Sequence, residues 1–300
     1  MSLLNRRRFT QQALSGALGT SLLPVFSQPK TIYPPKIKQV IAAWPFMNLG
    51  DKWSAEQLVH YAKEMGFAGV ELLDPIHWPL LKANELVCAA TKSHTFIRGM
   101  NNTQHHAECL DILTKSIEAS MQAGYPNVMT FTGLADTRSE KNGSIVSPEE
   151  ARKNCIAGYK KIVSLAEEKG VTLILEPLNT KVSENMKGHP GYTGDHIDLC
   201  MDIIKAVGSP NFKLLFDVYH IQIMDGDIIR HIQEYGEYIG HVQVAGVPGR
   251  GEIGLTQEIY YPAVMQALVD IGYTGYVGHE WIPTGDPKVG LKEAFSICDI

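Results

Sequence analysis

The chain has 300 residues, of which 44% are hydrophobic and 20% are charged, and its formal net charge is -5 at pH 7. These values are typical of a soluble globular protein, and the mildly acidic balance argues against nucleic acid or an anionic membrane as the main partner. The five cysteines are widely and irregularly spaced, which predicts buried free thiols rather than a disulfide framework or a thiolate zinc site.

The N-terminal segment differs from the rest of the chain. Residues 5–11 read NRRRFTQ and are followed by the modestly apolar run ALSGALGTSLLPVF, which is too short and too rich in glycine and serine for a membrane span. Paired arginines before Phe9, an apolar middle and small residues near Ser27 predict a twin-arginine-type signal peptide over residues 1–27, and hence a periplasmic protein. The alternative is a disordered basic tail on a cytoplasmic protein.

From residue 38 onward, short apolar runs alternate with amphipathic segments. The apolar runs predict eight strands, at Gln39–Ala43, Gly69–Leu73, Phe96–Met100, Val128–Thr132, Val171–Leu175, Phe212–Phe216, His241–Ala245 and Gly275–His279. The amphipathic segments predict helices at Ala55–Met65, Ala83–Lys92, His105–Ala123, Pro148–Lys169, Asp195–Val207, Gly226–Tyr238, Tyr261–Ile271 and Val289–Ile297.

Residues at the predicted helix ends support this pattern. Ser54 with Gln57 predicts a capping box, and Ser147 before Pro148 predicts a second capped start. Strand and helix alternate about eight times, which predicts a single-domain (β/α)8 TIM barrel over residues 28–300. A doubly wound open sheet is the competing fold, but no glycine-rich phosphate-binding motif follows the first strand.

Polar residues stand at the carboxyl ends of the last four predicted strands. They are Glu176, Asp217, Gln243 and Glu280. In a parallel barrel these ends meet at one face, where three carboxylates and an amide oxygen would suit Mn²⁺ or Mg²⁺. A cation would also relieve the repulsion among the carboxylates. The alternative is that each acid pairs separately with a lysine or arginine at the barrel rim.

The segments around these residues carry a family resemblance. LILEPLN, FDVYHIQIMDGD, GHVQVAGVPGRGEI and YVGHEWIP resemble the hydroxypyruvate isomerase family of the xylose isomerase-like TIM-barrel superfamily, and the similarity extends to GFAGVELLDP and AGYPNVMTF. The resemblance implies that the four polar residues bind a divalent metal ion. It also implies that Glu176 and Glu280 form the catalytic acid/base pair and that His220 and Arg250 contact the substrate.

The resemblance also implies a reaction class. It predicts an isomerase or C3 epimerase that acts through an enediolate on a small sugar or hydroxy-keto acid, most like the conversion of hydroxypyruvate to tartronate semialdehyde. Arg250 would hold a substrate carboxylate and His220 would donate to the developing oxyanion. The arginine loop reads PGRGEIG where the family usually continues with His, Glu and Pro, which favours a different substrate in an exported protein.

Glu71, at the end of the second predicted strand, is predicted to contact the substrate, to orient a ligand or bound water, or to pair with Arg98 at the barrel mouth. Two other functions stay open at this point: a non-catalytic periplasmic sugar-binding barrel, and a metal-dependent endonuclease of the same superfamily. The endonuclease would require several histidines at the barrel mouth and a basic face. No stable membrane anchor and no nucleic-acid partner are expected, and a homo-oligomer is left open.

Overall fold

The computed structural model describes residues 37–139 and 143–300, so the predicted signal peptide over residues 1–27 lies outside the described residues. In the described part, eight parallel strands form one sheet. Their bounds are β1 Lys38–Ala42, β2 Gly69–Glu71, β3 Val87–Cys88, β4 Asn127–Thr130, β5 Thr172–Leu175, β6 Phe212–Asp217, β7 Ile239–Val244 and β8 Tyr276–His279.

The sheet closes on itself. Its order is β3-β2-β1-β8-β7-β6-β5-β4, so the first strand pairs with the last. The seam between β3 and β4 is bridged by Thr91, whose N–H donates to the carbonyl of Asn127 and whose carbonyl accepts from Met129, both at 2.9 Å. The predicted (β/α)8 barrel is therefore confirmed, and the doubly wound open sheet is excluded.

Eleven α-helices connect the strands of this described part. Their bounds are α1 Ala43–Asn48, α2 Ala55–Met65, α3 Trp78–Ala83, α4 His106–Ala123, α5 Pro148–Tyr159, α6 Val163–Lys169, α7 Ile197–Val207, α8 Val218–Met224, α9 Ile228–Tyr235, α10 Tyr261–Asp270 and α11 Pro287–Cys298. The capping boxes at Ser54 and Ser147 are both present. Across residues 37–139 and 143–300, none of the helices has the length and apolar character needed to span a membrane.

The third predicted strand is wrong. Phe96–Met100 is a loop, and the third strand is the short Val87–Cys88 segment, inside the stretch that was predicted as the helix Ala83–Lys92. The helix lies earlier, at α3, because a proline in its first turn favours a start at Trp78 and Glu85 takes a left-handed φ of 57° just beyond its end. The other predicted strands are confirmed, with ends that differ by up to two residues.

One predicted helix is divided. The segment Pro148–Lys169 forms α5 and α6, separated by a tight turn at residues 160–162. In this turn the N–H groups of Lys161 and Ile162 bond to carbonyls three residues back, which ends the regular α-helical pattern.

The inside of the barrel has an apolar and a polar part. One small cluster of buried apolar side chains comprises Leu72, Ala90, Met129, Ile174 and Leu215. On another side, Glu71 of β2 hydrogen-bonds to His241 and Gln243 of β7. All five cysteines are buried and free, as predicted.

Candidate active site

A small cavity lies at the carboxyl ends of the strands. It encloses about 120 Å³ and its walls are formed by Trp44, Leu72, Phe96, Met129, Phe131, Glu176, Leu178, Met186, His189, Arg250 and Glu280. A larger groove of about 400 Å³ involves α3 and α4 on the outside of the barrel, but no carboxylate lines it. The smaller cavity is the candidate active site, because the predicted site residues Glu176, Arg250 and Glu280 line it.

Glu176 stands where β5 stops. The strand ends at Leu175, and Pro177 has no N–H to continue the ladder. The backbone of Glu176 is held at both groups: its N–H donates to the carbonyl of Thr130 at 3.2 Å, and its carbonyl accepts from the hydroxyl of Tyr192 at 2.8 Å. The side chain is 3% exposed, and its carboxylate has no hydrogen-bond partner among the described residues. A fixed backbone thus holds an unsatisfied carboxylate at the cavity.

Asp217 uses one oxygen to start α8. Its Oδ1 accepts from the N–H groups of Tyr219 at 2.8 Å and His220 at 3.4 Å, as a helix N-cap does. Its Oδ2 is buried without a hydrogen bond, at 3.5 Å from both Nε2 of His220 and Nη2 of Arg250. The cap fixes the side chain and leaves Oδ2 available to a ligand.

The orientation of the Gln243 amide is set by Glu71. Nε2 of Gln243 donates to Oε1 of Glu71 at 2.7 Å, and Nε2 of His241 donates to Oε2 of the same carboxylate at 2.5 Å. An ionised carboxylate only accepts hydrogen bonds, so the NH₂ group of Gln243 must face it. The amide oxygen Oε1 is left buried and without a partner.

Glu280 is held by two donors. Nε1 of Trp44 donates to Oε1 at 2.7 Å, and Nη2 of Arg250 donates to Oε2 at 2.5 Å. The Arg250 guanidinium lies over the rings of Trp44 and Tyr219, at 5.2 and 5.4 Å from their centroids, and donates from Nη1 to the carbonyl of Met186 at 2.6 Å. Its Nε is buried and unpartnered among the described residues, so this N–H remains for a ligand.

His220 is a hydrogen-bond donor toward the site rather than a metal ligand. One oxygen or nitrogen of each of Glu176, Asp217 and His220 lies within 4.8 Å of the others, which alone suggests a three-residue metal site. However, Nδ1 of His220 accepts from the backbone N–H of Asn179 at 3.0 Å. A backbone N–H cannot accept, so the proton of the neutral ring is on Nε2, and this nitrogen has no lone pair for a metal.

Burial controls the charges of the site. It raises the pKa of Glu176 well above the usual range, with a further rise from the negative charges of Glu280 and Asp217. Burial also raises the pKa of Asp217, and it raises that of Glu280 to about 7. Burial opposes the positive charge of Arg250, but the surrounding carboxylates outweigh it and raise its pKa.

These charges indicate what the site can hold. Glu176, Asp217 and Glu280 face a single guanidinium, so two negative charges lack a counter-charge when all three acids are ionised. Two buried oxygens, Oδ2 of Asp217 and Oε1 of Gln243, also lack partners. Hard oxygen donors with this excess of negative charge fit a divalent cation such as Mn²⁺ or Mg²⁺.

The predicted site residues take different positions. Those predicted as metal ligands lie at the ends of consecutive strands, and all are buried: Glu176, Asp217, Gln243 and Glu280. Arg250 lines the cavity, and His220 directs Nε2 toward Asp217. Glu71 is fully buried, is not among the cavity-lining residues and bonds to β7. It does not pair with Arg98, which pairs with Glu108 at 3.1 Å.

Two residues that shape the site have roles not predicted from the sequence. The indole N–H of Trp44 holds the carboxylate of Glu280. Asn179, three residues after Glu176 in LEPLN, fixes the tautomer of His220. Asn179 lies just after the strand that was predicted to end in the metal ligand Glu176, and this position was the only indication of its role in the sequence.

Comparison with known proteins places the chain among sugar and keto-acid enzymes. A family model described as xylose isomerase-like TIM barrel matches residues 59–298. The 2-oxo-tetronate isomerase of Cupriavidus necator is 31% identical over 179 residues, which are 58% of this chain and 66% of that protein. The hydroxypyruvate isomerase of Escherichia coli is 24% identical over 246 residues, which are 77% of this chain and 89% of that protein.

Solved structures have the same fold. A crystal structure described as AP endonuclease, family 2, from Brucella melitensis has a TM-score of 0.71 and 26% identity, and covers 85% of this chain and 97% of its own. The 3-keto-D-glucoside 4-epimerase of E. coli has a TM-score of 0.70 and 19% identity, and covers 87% of this chain and 98% of its own. At that identity the second similarity shows the fold alone.

Proposed function

The chain belongs to the xylose isomerase-like TIM barrel family, and on that premise we propose that it is a metal-dependent isomerase or epimerase. Its substrate is a small sugar or hydroxy-keto acid, and the reaction is most like that of hydroxypyruvate isomerase. Relatives named as 2-oxo-tetronate isomerase and hydroxypyruvate isomerase support the isomerase class.

The observation that carries the proposal is a set of buried oxygen atoms, on Glu176, Asp217 and Gln243, that have no hydrogen-bond partner among the described residues. Glu176, Asp217, Gln243 and Glu280 would hold the cation. A bound Mn²⁺ or Mg²⁺ supplies Lewis acidity, which stabilises negative charge on the substrate oxygens. A sugar-binding protein without catalysis has no need for three converging acids that disfavour one another's charge.

The two glutamates differ in how firmly they are held, and this difference suits proton transfer. Glu176 has no hydrogen bond at its carboxylate, so it can accept a proton from a substrate C–H without breaking a protein contact. Glu280 is fixed by Trp44 and Arg250 three strands further along the barrel. The two therefore approach the substrate from separate sides, one removing the proton and the other returning it.

The remaining polar groups bind the substrate. The Nε2–H of His220 is buried and makes no hydrogen bond within the described residues, so it can donate to the oxyanion of the enediolate. The unpartnered Nε–H of Arg250 can bind a substrate carboxylate. The cavity of about 120 Å³ and its apolar wall of Leu72, Phe96 and Phe131 favour a short carbon chain.

A substrate panel tests the proposal. Purified protein with added Mn²⁺ is incubated in heavy water with hydroxypyruvate, four-carbon keto acids and ketoses, and hydrogen exchange is followed by NMR. Exchange at the carbon next to the carbonyl, lost in Glu176→Gln and Glu280→Gln, is the expected result. Glu252→Gln is a control, because the Glu252 carboxylate accepts from Thr284 and Gly285 away from the cavity. No exchange with any substrate would contradict the isomerase mechanism.

The endonuclease alternative receives less support. Within the described residues, the one cluster of three potential metal-binding side chains contains a single histidine, His220, and that ring is held as a donor. The chain is also acidic, at -5. Cleavage of abasic DNA under the same Mn²⁺ conditions, without exchange on any keto acid or ketose, would favour this alternative.

We also propose that the protein is exported in a folded state by the twin-arginine route. The motif NRRRFTQ and the apolar run after it support this. Replacing Arg6 and Arg7 by lysine should retain the protein in the cytoplasm, as judged by cell fractionation. An unchanged distribution would leave a basic tail as the better interpretation of residues 1–27.

A further inference from the structure

The fully buried carboxylate of Glu71 does not line the cavity, and it connects two distant strands. It extends from β2 to β7, where it accepts from Nε2 of Gln243 and Nε2 of His241. Both Glu71 and His241 have 0% side-chain exposure. A fully buried carboxylate is costly, so a polar contact of this kind calls for a physical reason.

The fold makes room for this carboxylate at β8. A Cβ atom on Gly278 would lie 2.3 Å from Oε1 of Glu71, closer than any real contact. Gly278 is the register partner of Gln243 between β7 and β8. Only a glycine at this position lets the Glu71 side chain pass across β8 to reach the amide.

We infer that Glu71 is a positioning residue that, together with His241, fixes the amide of Gln243 so that its oxygen faces the metal site. The inference rests on the proposed metal-dependent function. An amide can present either its oxygen or its NH₂ group, and only the oxygen can bind a cation. Oε1 of Glu71 accepts from Gln243, and an accepting oxygen at this place admits a single orientation of the amide. Of the roles predicted for Glu71, this one is the orientation of a ligand rather than the contact with the substrate.

Replacing Glu71 by glutamine removes this selection without changing the shape of the side chain. If the new NH₂ group faces β7 at Gln243, the Gln243 amide must turn and present its own NH₂ to the cation. If it faces His241 instead, that ring must move its proton to Nδ1, which is buried without a partner. The second arrangement keeps the Gln243 amide in its wild-type orientation but buries an N–H of His241 without an acceptor. The first arrangement should therefore prevail, and Glu71→Gln should weaken Mn²⁺ binding by about 10- to 100-fold.

A reciprocal exchange separates orientation from packing. In the double variant Glu71→Gln with Gln243→Glu, the glutamine donates to the new carboxylate and still accepts from His241. A carboxylate oxygen then faces the metal site again. The double variant should bind Mn²⁺ within about threefold of wild type, because every hydrogen bond is restored with one direction reversed.

The test is the Mn²⁺ dissociation constant of each purified protein by isothermal titration calorimetry, with folding checked by circular dichroism. Gln39→Leu is a matched control, because it breaks a buried Gln–His contact between β1 and β8 that does not reach the metal ligands. The control should lose thermal stability and keep the wild-type dissociation constant.

The outcomes distinguish this inference from the proposed function. Wild type that binds no Mn²⁺ would overturn both. Wild type that binds, with Glu71→Gln binding equally well or with the double variant no better than Glu71→Gln, would overturn the inference alone. If Glu71→Gln does not fold, Gly278→Ala provides the test, since it displaces the carboxylate without altering its chemistry. Unchanged Mn²⁺ affinity in that variant would also refute the inference.

Discussion

Replacing Glu176 by glutamine should stabilise the metal-free protein and remove its response to metal. Glu176 is 3% exposed, and its carboxylate has no hydrogen-bond partner within the described part of the chain and is close to the negative charges of Glu280 and Asp217. Glutamine keeps the shape and removes the charge. The change therefore relieves a repulsion in the absence of metal and removes a ligand in its presence.

The magnitude follows from the burial of this charge. Replacing buried ionic groups by neutral ones of similar volume often stabilises a protein, by about 1–4 kcal/mol. A gain of about 2 kcal/mol would raise the melting temperature by roughly 4–8 °C for a domain of this size. Saturation with Mn²⁺ at about 100 times the dissociation constant should stabilise wild type by about 2.7 kcal/mol, and the variant much less. The order of stability should therefore reverse between EDTA and Mn²⁺.

Thermal unfolding by circular dichroism, in EDTA and in Mn²⁺, measures both effects on the same samples. Glu252→Gln is the control, because its carboxylate is satisfied by Thr284 and Gly285 and should lose stability equally in both conditions. A Glu176→Gln protein that melts below wild type in EDTA would refute the reasoning. It would mean that the carboxylate is stabilised by a contact that the structure does not contain.

Three further predictions concern other parts of the barrel. Arg250→Lys keeps the charge, but a lysine cannot bond to the Met186 carbonyl and to Glu280 together. The value of kcat/KM for keto acids should therefore fall by roughly 10- to 100-fold, and it should fall more than the value for neutral ketoses. Equal losses for both substrate classes would argue against a carboxylate-binding role of Arg250. Burial and the charge of Arg250 lower the pKa of His189 to about 4, below its ordinary 6.5. On acidification the unfolded chain therefore protonates His189 before the folded protein does, and the free energy of unfolding falls as pH drops from 6.5 to 4. Urea titrations of His189→Asn at these two pH values should show this loss reduced by roughly 3 kcal/mol. An unchanged loss would contradict the lowered pKa of His189. Burial raises the pKa of the Cys88 and Cys109 thiols to about 12, so native protein should not react with a thiol reagent that labels all five cysteines in denaturant.

The predicted strand ends located the buried carboxylates of the candidate metal site. A ligand that directly follows an apolar run, such as Glu176 after VTLIL, is visible because the local pattern fixes both the strand and its end. The parallel strands of a barrel all end on one face, so the sequence alone predicts that the residues at the strand ends lie close together. The third strand escaped prediction because Val87–Cys88 is too short to show a period of two, and Thr91 rather than a regular ladder closes the seam beside it.

The contacts among side chains were beyond what the sequence specifies. One of the alternatives predicted for Glu71 was a pair with Arg98, whereas the carboxylate accepts from His241 and Gln243 of β7. That choice depends on the space left by Gly278, about 200 residues away, and strand periodicity carries no information on it. The roles of Trp44 and Asn179 were missed for the same reason, since each depends on one hydrogen bond to a residue distant in sequence.

The buried polar residues of this barrel fall into two groups with different tasks. One group contains Glu176 and Oδ2 of Asp217, which have no hydrogen-bond partner among the described residues. The other group contains Glu71 and His241, which are paired with each other, and Glu71 also accepts from the NH₂ group of Gln243. Apolar residues in place of this second group would give a more stable barrel, but they would leave the Gln243 amide free to turn. The cost of burying Glu71 is therefore best explained by the orientation of a ligand, which makes metal affinity, rather than stability, the property that should respond when this group is changed.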